Sequence, residues 1–348
     1  MTRRDSLIII LVLNISLCSG QTGGNHVYDF LNLTYSSLVS SLGGMNVSLR
    51  TNDLNITSQN PALLGKEMDK NLTLNYVNYF AGINYGMTMY SRSFNGIGSF
   101  AGGLTYLNYG TFREADEAGT ITGSFSASEY AFSFVYSRVI DSLFSIGIDI
   151  KPVLSTLEKY TSVGFAVDLG GSYHSRNNLF TAGLVIKNAG MQITTYTGES
   201  RESLPFEIQA GASQKLAHAP FRFSLTLRHL EKFDLTYNYV NSSNPGYTTT
   251  TDSKSNSGFA ENAMRHVIVG VELIPSKNFY LSAGYNYQRR KELQIDTKTS
   301  TVGFSWGFGI NTSFMSIGFG RATYHLAGAS NNISIMIRPD LVYKKFHK

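Results

Sequence analysis

The chain has 348 residues, and only 15% of them are charged. A soluble protein carries roughly 25%, so a large uncharged surface is implied. The net charge of +5 is scattered and forms no basic stripe, which excludes the footprint of a nucleic-acid binder. Glycine (33), Tyr (21) and Phe (22) are plentiful, as in a β-protein with a wide apolar exterior.

In chain order, residues 1–20 read as a secretory signal peptide. Arg3 and Arg4 open it, Leu7 to Leu13 is an apolar run, and Ser19 and Gly20 are the small residues before a cut. The run is too short to span a bilayer as a helix. Cleavage after Gly20 starts the mature chain at Gln21 and removes Cys18, the only cysteine. Acylation of Cys18 as a first residue is the alternative, and Leu17 fits that cut poorly. The mature chain then holds no disulfide and no Cys-based metal site.

Residues 21–70 differ from the rest. Leu31, Tyr35, Leu38 and Leu42 repeat at helical spacing, and Gly43-Gly44 follows as a stop signal. One short amphipathic helix is predicted, then an irregular stretch ending in Asn60-Pro61-Ala62-Leu63-Leu64. The segment is either a periplasmic leader or a hatch folded into a barrel mouth.

From residue 71 to 338 the sequence alternates with period two, as strands do. Ile83, Tyr85, Met87 and Met89 alternate with Asn84, Gly86 and Thr88. Val302, Phe304, Trp306, Phe308 and Ile310 alternate with Gly303, Ser305, Gly307 and Gly309. The predicted strands are 71–78, 81–92, 96–109, 126–140, 143–157, 162–175, 179–187, 204–215, 221–231, 264–275, 279–290, 299–310, 313–324 and 331–338. That is about 14, more than the roughly ten an open twisted sheet supports. The second face is rich in Gly, Ser, Ala and Asn where a water-facing sheet would carry Lys and Glu. An all-β, antiparallel, closed transmembrane barrel resolves this by turning its greasy faces to lipid. The strand charges Asp149, Lys151, Asp168, Lys187, Glu207, Arg222, Glu272 and Arg338 then fall on the lumen parity. Phe304→Arg or Phe308→Arg should impair assembly, and Ser305→Arg should be milder if the lumen has room.

Short and long connections mostly alternate. The long ones lie near 110–125, 188–203, 232–263 and 291–298, and the longest holds the candidate partner-binding residues Asn241, Asn244, Tyr247, Asp252 and Lys254. Loops on a rigid scaffold are where recognition is usually placed. Pro152, Pro205, Pro220 and Pro275 fall near predicted strand ends. Residues 339–348 form a C-terminal tail.

Several phrases resemble the PorQ family of the type IX secretion system. They are YDFLNL from Tyr28, LGGMNVS from Leu42, NPALL from Asn60, LNYGTF from Leu107, AGTITGSFSA from Ala118, DLG from Asp168, KNAG from Lys187 and LPFE from Leu204. The Gly-Gly element followed by Asn-Pro-Ala resembles the hatch of FadL-like barrels, which marks Gly43, Gly44, Asn60, Pro61 and Ala62 as a hatch motif. The resemblance implies a 14-stranded FadL-like barrel in the outer membrane. It also implies an attachment complex with a PorU-like sortase, a PorV-like barrel and a PorZ-like surface protein, which processes secreted cargo and joins it to lipopolysaccharide. In that family the proteolytic chemistry lies in another subunit.

The residues themselves point to no enzyme and no cofactor. The seven His form no short-spaced ligand pair, and the Glu114-Ala-Asp-Glu117 cluster lacks the spacing of a calcium loop. Two other readings stay open: a FadL-type transporter of hydrophobic small molecules, and a barrel enzyme with a Ser–His pair across strands.

Overall fold

The computed structural model describes residues 26–79, 82–198, 200–235, 258–293, 301–325 and 328–346. The expected signal peptide and the residues Asn241, Asn244, Tyr247, Asp252 and Lys254 lie outside them.

Fourteen antiparallel strands close into one barrel, each paired with its neighbour in sequence and the last with the first. They are β1 Leu72–Asn78, β2 Asn84–Phe94, β3 Gly98–Ala115, β4 Ile121–Val139, β5 Phe144–Leu157, β6 Tyr160–His174 and β7 Phe180–Thr194. The second half holds β8 Glu207–Lys215, β9 Phe221–Leu227, β10 Val267–Ser276, β11 Phe279–Asn286, β12 Phe304–Asn311, β13 Met315–His325 and β14 Gly328–Ile337. The seam runs from Leu72↔Ile337 to Asn78↔Asn331 without a break. Closure leaves no sheet edge in hydrocarbon, which is what lets a β-structure cross a membrane.

The alternation has its physical cause in this geometry. On β12, Phe304, Trp306 and Ile310 are each more than half exposed on the outer face, while Ser305 between them is 3% exposed toward the lumen. Aromatic pairs line the outside at two heights: Tyr106 with Tyr130 and Phe100 with Tyr136, each with centroids 4.9 Å apart. Such girdles mark the two membrane–water interfaces.

Five differences from the sequence reading have local reasons. On β2 the apolar parity points inward, with Tyr85, Met87 and Met89 buried, because apolar residues of the segment inside the barrel lie opposite. Val302 precedes β12 and is buried, so it does not belong to the lipid face. The stretch 110–125 is mostly a strand pair rather than a loop, since β3 and β4 run on well past the span needed to cross. Helices α2 Phe259–Arg265 and α3 Tyr287–Leu293 replace the first turn expected of the tenth strand and the last of the eleventh. Pro152 lies inside β5, opposite Phe165, and the β4–β5 register is the same on both sides of it. The tail 339–346 forms a further helix, Pro339–Phe346.

Residues 26–71 occupy the lumen. The helix predicted from Leu31 to Leu42 is only α1 Ser37–Ser41, preceded by a single 3-10 turn at Asp29–Asn32. Ser36 caps α1 by accepting from Val39 N at 3.3 Å, a residue type suited to that position. Gly43 and Gly44 end it with φ of +102° and +100°, the left-handed region where a side chain is strained. Three more 3-10 turns follow at Leu54–Ser58, Pro61–Leu63 and Lys66–Met68. None of these short pieces would be stable alone, and the barrel wall holds them.

Candidate functional site: the filled lumen and the long-loop rim

The lumenal segment runs the height of the barrel. At the long-loop rim His26 bridges to Ser203, and Tyr28 packs against Ser162 of β6. At the short-turn rim Lys70 donates to Ser91 O, and its ammonium lies 3.7 Å from Asp340. Between them, Ser41 shares a hydrogen bond with Ser282 at 2.6 Å, and Ser48 shares one with Ser213 at 2.8 Å.

The hatch motif forms two fastenings on opposite walls. Asn60 caps its turn by accepting from Ala62 N at 3.0 Å, and its amide donates to Val47 O at 2.9 Å and Gly171 O at 3.1 Å. Pro61 begins the turn where its missing N–H is no loss, and Ala62 O accepts from Ser145 at 2.8 Å. The backbone of Pro61 and Ala62 lies so close to β5 that a Cβ on Gly147 would collide with it. On the far wall, Gly43 O accepts from Asn286 at 3.2 Å and from Arg289 at 3.3 Å. Arg289 also lies over the Tyr324 ring, 4.0 Å from its centroid. Thus Gly43, Gly44, Asn60, Pro61 and Ala62 are brought to one lumenal segment, though not to one point.

Several of the strand charges pair inside the lumen. Lys151 Nζ lies 2.6 Å from Asp168 Oδ1 and donates to Asn188 Oδ1 at 2.6 Å, while Asn188 N donates to Asp168 Oδ1 at 2.7 Å. Lys187 Nζ reaches across to Ser58 O at 3.1 Å, tying the wall to the hatch. Arg222 grips Glu272 with two bonds of 2.7 and 2.6 Å, and Arg228 grips Glu207 at 3.1 and 3.3 Å. Strand parity marked these residues as lumenal, except Arg228 just beyond β9, but the partners follow from barrel register, which one strand's pattern does not carry. Asn188 stands in the KNAG phrase and Arg228 in the predicted strand 221–231, but neither these nor Arg289 carried a signal for its partner.

A cavity of about 660 Å³ lies between the hatch and the wall, chiefly from β10 to β14. Lys277, Asn278, Thr312 and Arg338 place its mouth at the short-turn rim, and Ser37, Asp53, Asn55 and Tyr280 lie deeper. Asp53 accepts from Asn55 N at 3.0 Å, yet burial pushes its carboxyl up to about 6. At the other rim burial also raises the Asp29 carboxyl, with His26 opposing. Among the described residues no group of three His, Asp or Glu is placed to hold a metal ion.

No family model and no curated protein matches the chain. Solved structures do. The Pseudomonas putida toluene transporter TodX aligns with a TM-score of 0.51 at 11% identity, over 87% of this chain and 96% of that one. A TodX deltaS2S3 mutant monoaromatic hydrocarbon channel gives 0.51 at 12%, over 87% and 98%. A Pseudomonas aeruginosa FadL homologue gives 0.50 at 11%, over 88% and 98%. The protein has the fold of a FadL-like, 14-stranded transmembrane barrel of the outer-membrane type.

Proposed function

We propose that this barrel is a non-enzymatic scaffold of the outer membrane that holds a protein partner at its long-loop rim. The observation that carries the reading is the filled lumen. The hatch packs backbone to backbone against wall glycines and is hydrogen-bonded to strands around the ring. A lumen so occupied serves rigidity, and recognition then falls to the rim, where loops are borne by a stiff support. The phrases resembling the PorQ family support a PorZ-like surface protein as the partner, with a PorU-like sortase and a PorV-like barrel in the same attachment complex at the lipopolysaccharide surface. The test deletes residues 113–123 and ten residues between 241 and 256 together, and measures PorZ-like protein on washed cells against barrel abundance. Loss of the partner with normal barrel level is expected; full retention overturns the rim as the holding surface.

A second reading is transport of hydrophobic small molecules, favoured by the fold shared with TodX and by Pro152, which removes a ladder donor from the wall. The cavity lining mixes charged and amide groups, such as Asp53, Asn55 and Glu272, with apolar ones, such as Leu38, Phe279, Ile317 and Met336, and favours neither reading. Uptake of a labelled monoaromatic hydrocarbon into cells with and without the barrel separates the two.

A further inference from the structure

The strand pair that rises from the rim has one edge left open. β3 has 18 residues and β4 has 19, whereas roughly 9–11 suffice to cross the bilayer. The β3–β4 pairing continues to Ala115↔Ile121. On the other side of β4, pairing with β5 stops at Ala127↔Leu157, and the chain turns back after Leu157 into β6. A two-stranded ribbon of about six residues per strand, roughly 20 Å long at 3.3 Å per residue, therefore stands clear of the wall.

The last bond across the β4–β5 side runs from Glu158 N to Ser126 O at 3.1 Å. It fixes the parity of the ribbon. Backbone groups of one residue point to one side of a strand and alternate along it, so Ser124 turns its N–H and C=O outward. Among the described residues nothing pairs with them.

The two edges of the ribbon are unlike. The β3 edge carries Arg113 and Glu114 and is kinked by a register shift between Asn108 and Thr111, with Gly110 at φ +87°. Charges and bulges are how proteins blunt an edge. The β4 edge reads Gly123, Ser124, Phe125, Ser126, with no charge, no proline and no register shift; its one shift, at Thr122, lies nearer the tip.

We propose that residues 123–126 are a strand-addition site, where an extended segment of the surface partner pairs with β4 and lengthens the sheet. The inference rests on the scaffold reading and names how the rim would hold its partner. Backbone bonds to Ser124 and to the N–H of Ser126 supply the affinity, and side chains set the choice of sequence. Phe112 and Phe125 stack at 5.2 Å on one face of the ribbon, so an apolar residue fits beside Phe125. The tip carries Glu114, Asp116 and Glu117 against Arg113, so a Lys or Arg fits at the end of the added strand.

The test is Ser124→Pro in the full-length barrel. It removes one outward N–H and places a ring in the path of an added strand, while the β3-facing bonds of Gly123 and Phe125 remain. Ser124→Ala is the control for side-chain loss, and heat-modifiable mobility reads folding in both. Retention of PorZ-like protein on washed cells should fall about tenfold for Ser124→Pro, as losing one to two net hydrogen bonds predicts, and stay normal for Ser124→Ala. Amide exchange of the purified barrel with that protein should show slowing at Ser124 and Ser126 but not at Phe125. If Ser124→Pro retains the partner while the joint deletion of 113–123 and 241–256 releases it, the edge is refuted and the rim reading stands. If neither releases it, the rim reading itself fails. A dimer of barrels lost in Ser124→Pro, with the partner still held, would replace the partner strand by a second copy and overturn the proposal.

Discussion

Gly170 of β6 and Asn60 of the hatch claim the same space: a Cβ on Gly170 would fall on the Asn60 side-chain oxygen and 3.0 Å from Pro61 Cδ. The missing side chain on the wall is what admits the amide that caps the hatch turn. Gly170→Val should therefore displace the hatch, at about 1–3 kcal/mol for overpacking. Gly171, one residue on and facing the other way, has open space around its Cβ position, so Gly171→Val should fold normally. Urea midpoints in detergent, with protease nicking of residues 45–65, check both.

Lys151 and Asp168 are both under 10% exposed. Lys151→Met strands the carboxylate in the lumen and should cost about 3–5 kcal/mol, as breaking a buried pair does. Adding Asp168→Asn should recover a large part of that. A double-mutant cycle on unfolding midpoints measures it, and additive losses would mean the pair is not coupled.

Ser305→Arg is milder than a lipid-facing charge only if the lumen has room. It has none there, because Ser305 donates to Ser41 O at 2.9 Å and is nearly fully buried. Phe308→Arg should still fail by placing charge toward hydrocarbon, at roughly 2–4 kcal/mol near the midplane. Ser305→Arg should fail too, by evicting the hatch. Ser316 lines the cavity, so Ser316→Arg is the tolerated lumenal substitution. Heat-modifiable mobility of the three variants checks the order.

Asp53 sets a pH dependence at the foot of the hatch. Its carboxyl is raised from 3.8 to about 6 in the folded chain. A raised acid favours the folded state while neutral, so its contribution is full below 3.8 and is lost as pH rises through about 6. Amides of residues 54–58 should exchange faster at pH 7.5 than at pH 4, beyond the intrinsic rate. Asp53→Asn, which keeps a capping oxygen, should flatten that difference; an unchanged profile would remove Asp53 as the cause.

All fourteen strands were readable because lipid imposes period two wherever it touches the wall. The reading fails where lipid stops. Above the bilayer, Phe112 and Arg113 stay in a strand that no hydrophobic pattern requires. On β2 the pattern is present, but its sense is reversed by Tyr35, whose ring meets Tyr85 edge-on at 5.3 Å. Helical spacing at Leu31, Tyr35, Leu38 and Leu42 described burial correctly and shape wrongly. A segment enclosed on all sides buries its residues at any period, and Leu33, at ψ 150°, is extended where a helix was expected. The hatch motif was visible as turn chemistry in Gly43-Gly44 and Asn60-Pro61, but nothing in it says which wall each turn meets.

The segment from His26 to Asn71 touches one rim with its first residue and the other with its last. A plug of this kind has no hinge on which to swing aside. Held below by its covalent joint to β1, it can leave the lumen only lengthwise, drawn like a cord toward the short-turn side with Asn71 leading and His26 far behind. Opening is then a matter of pulling from one compartment, and the bridge between His26 and Ser203 in the other is the knot that resists it.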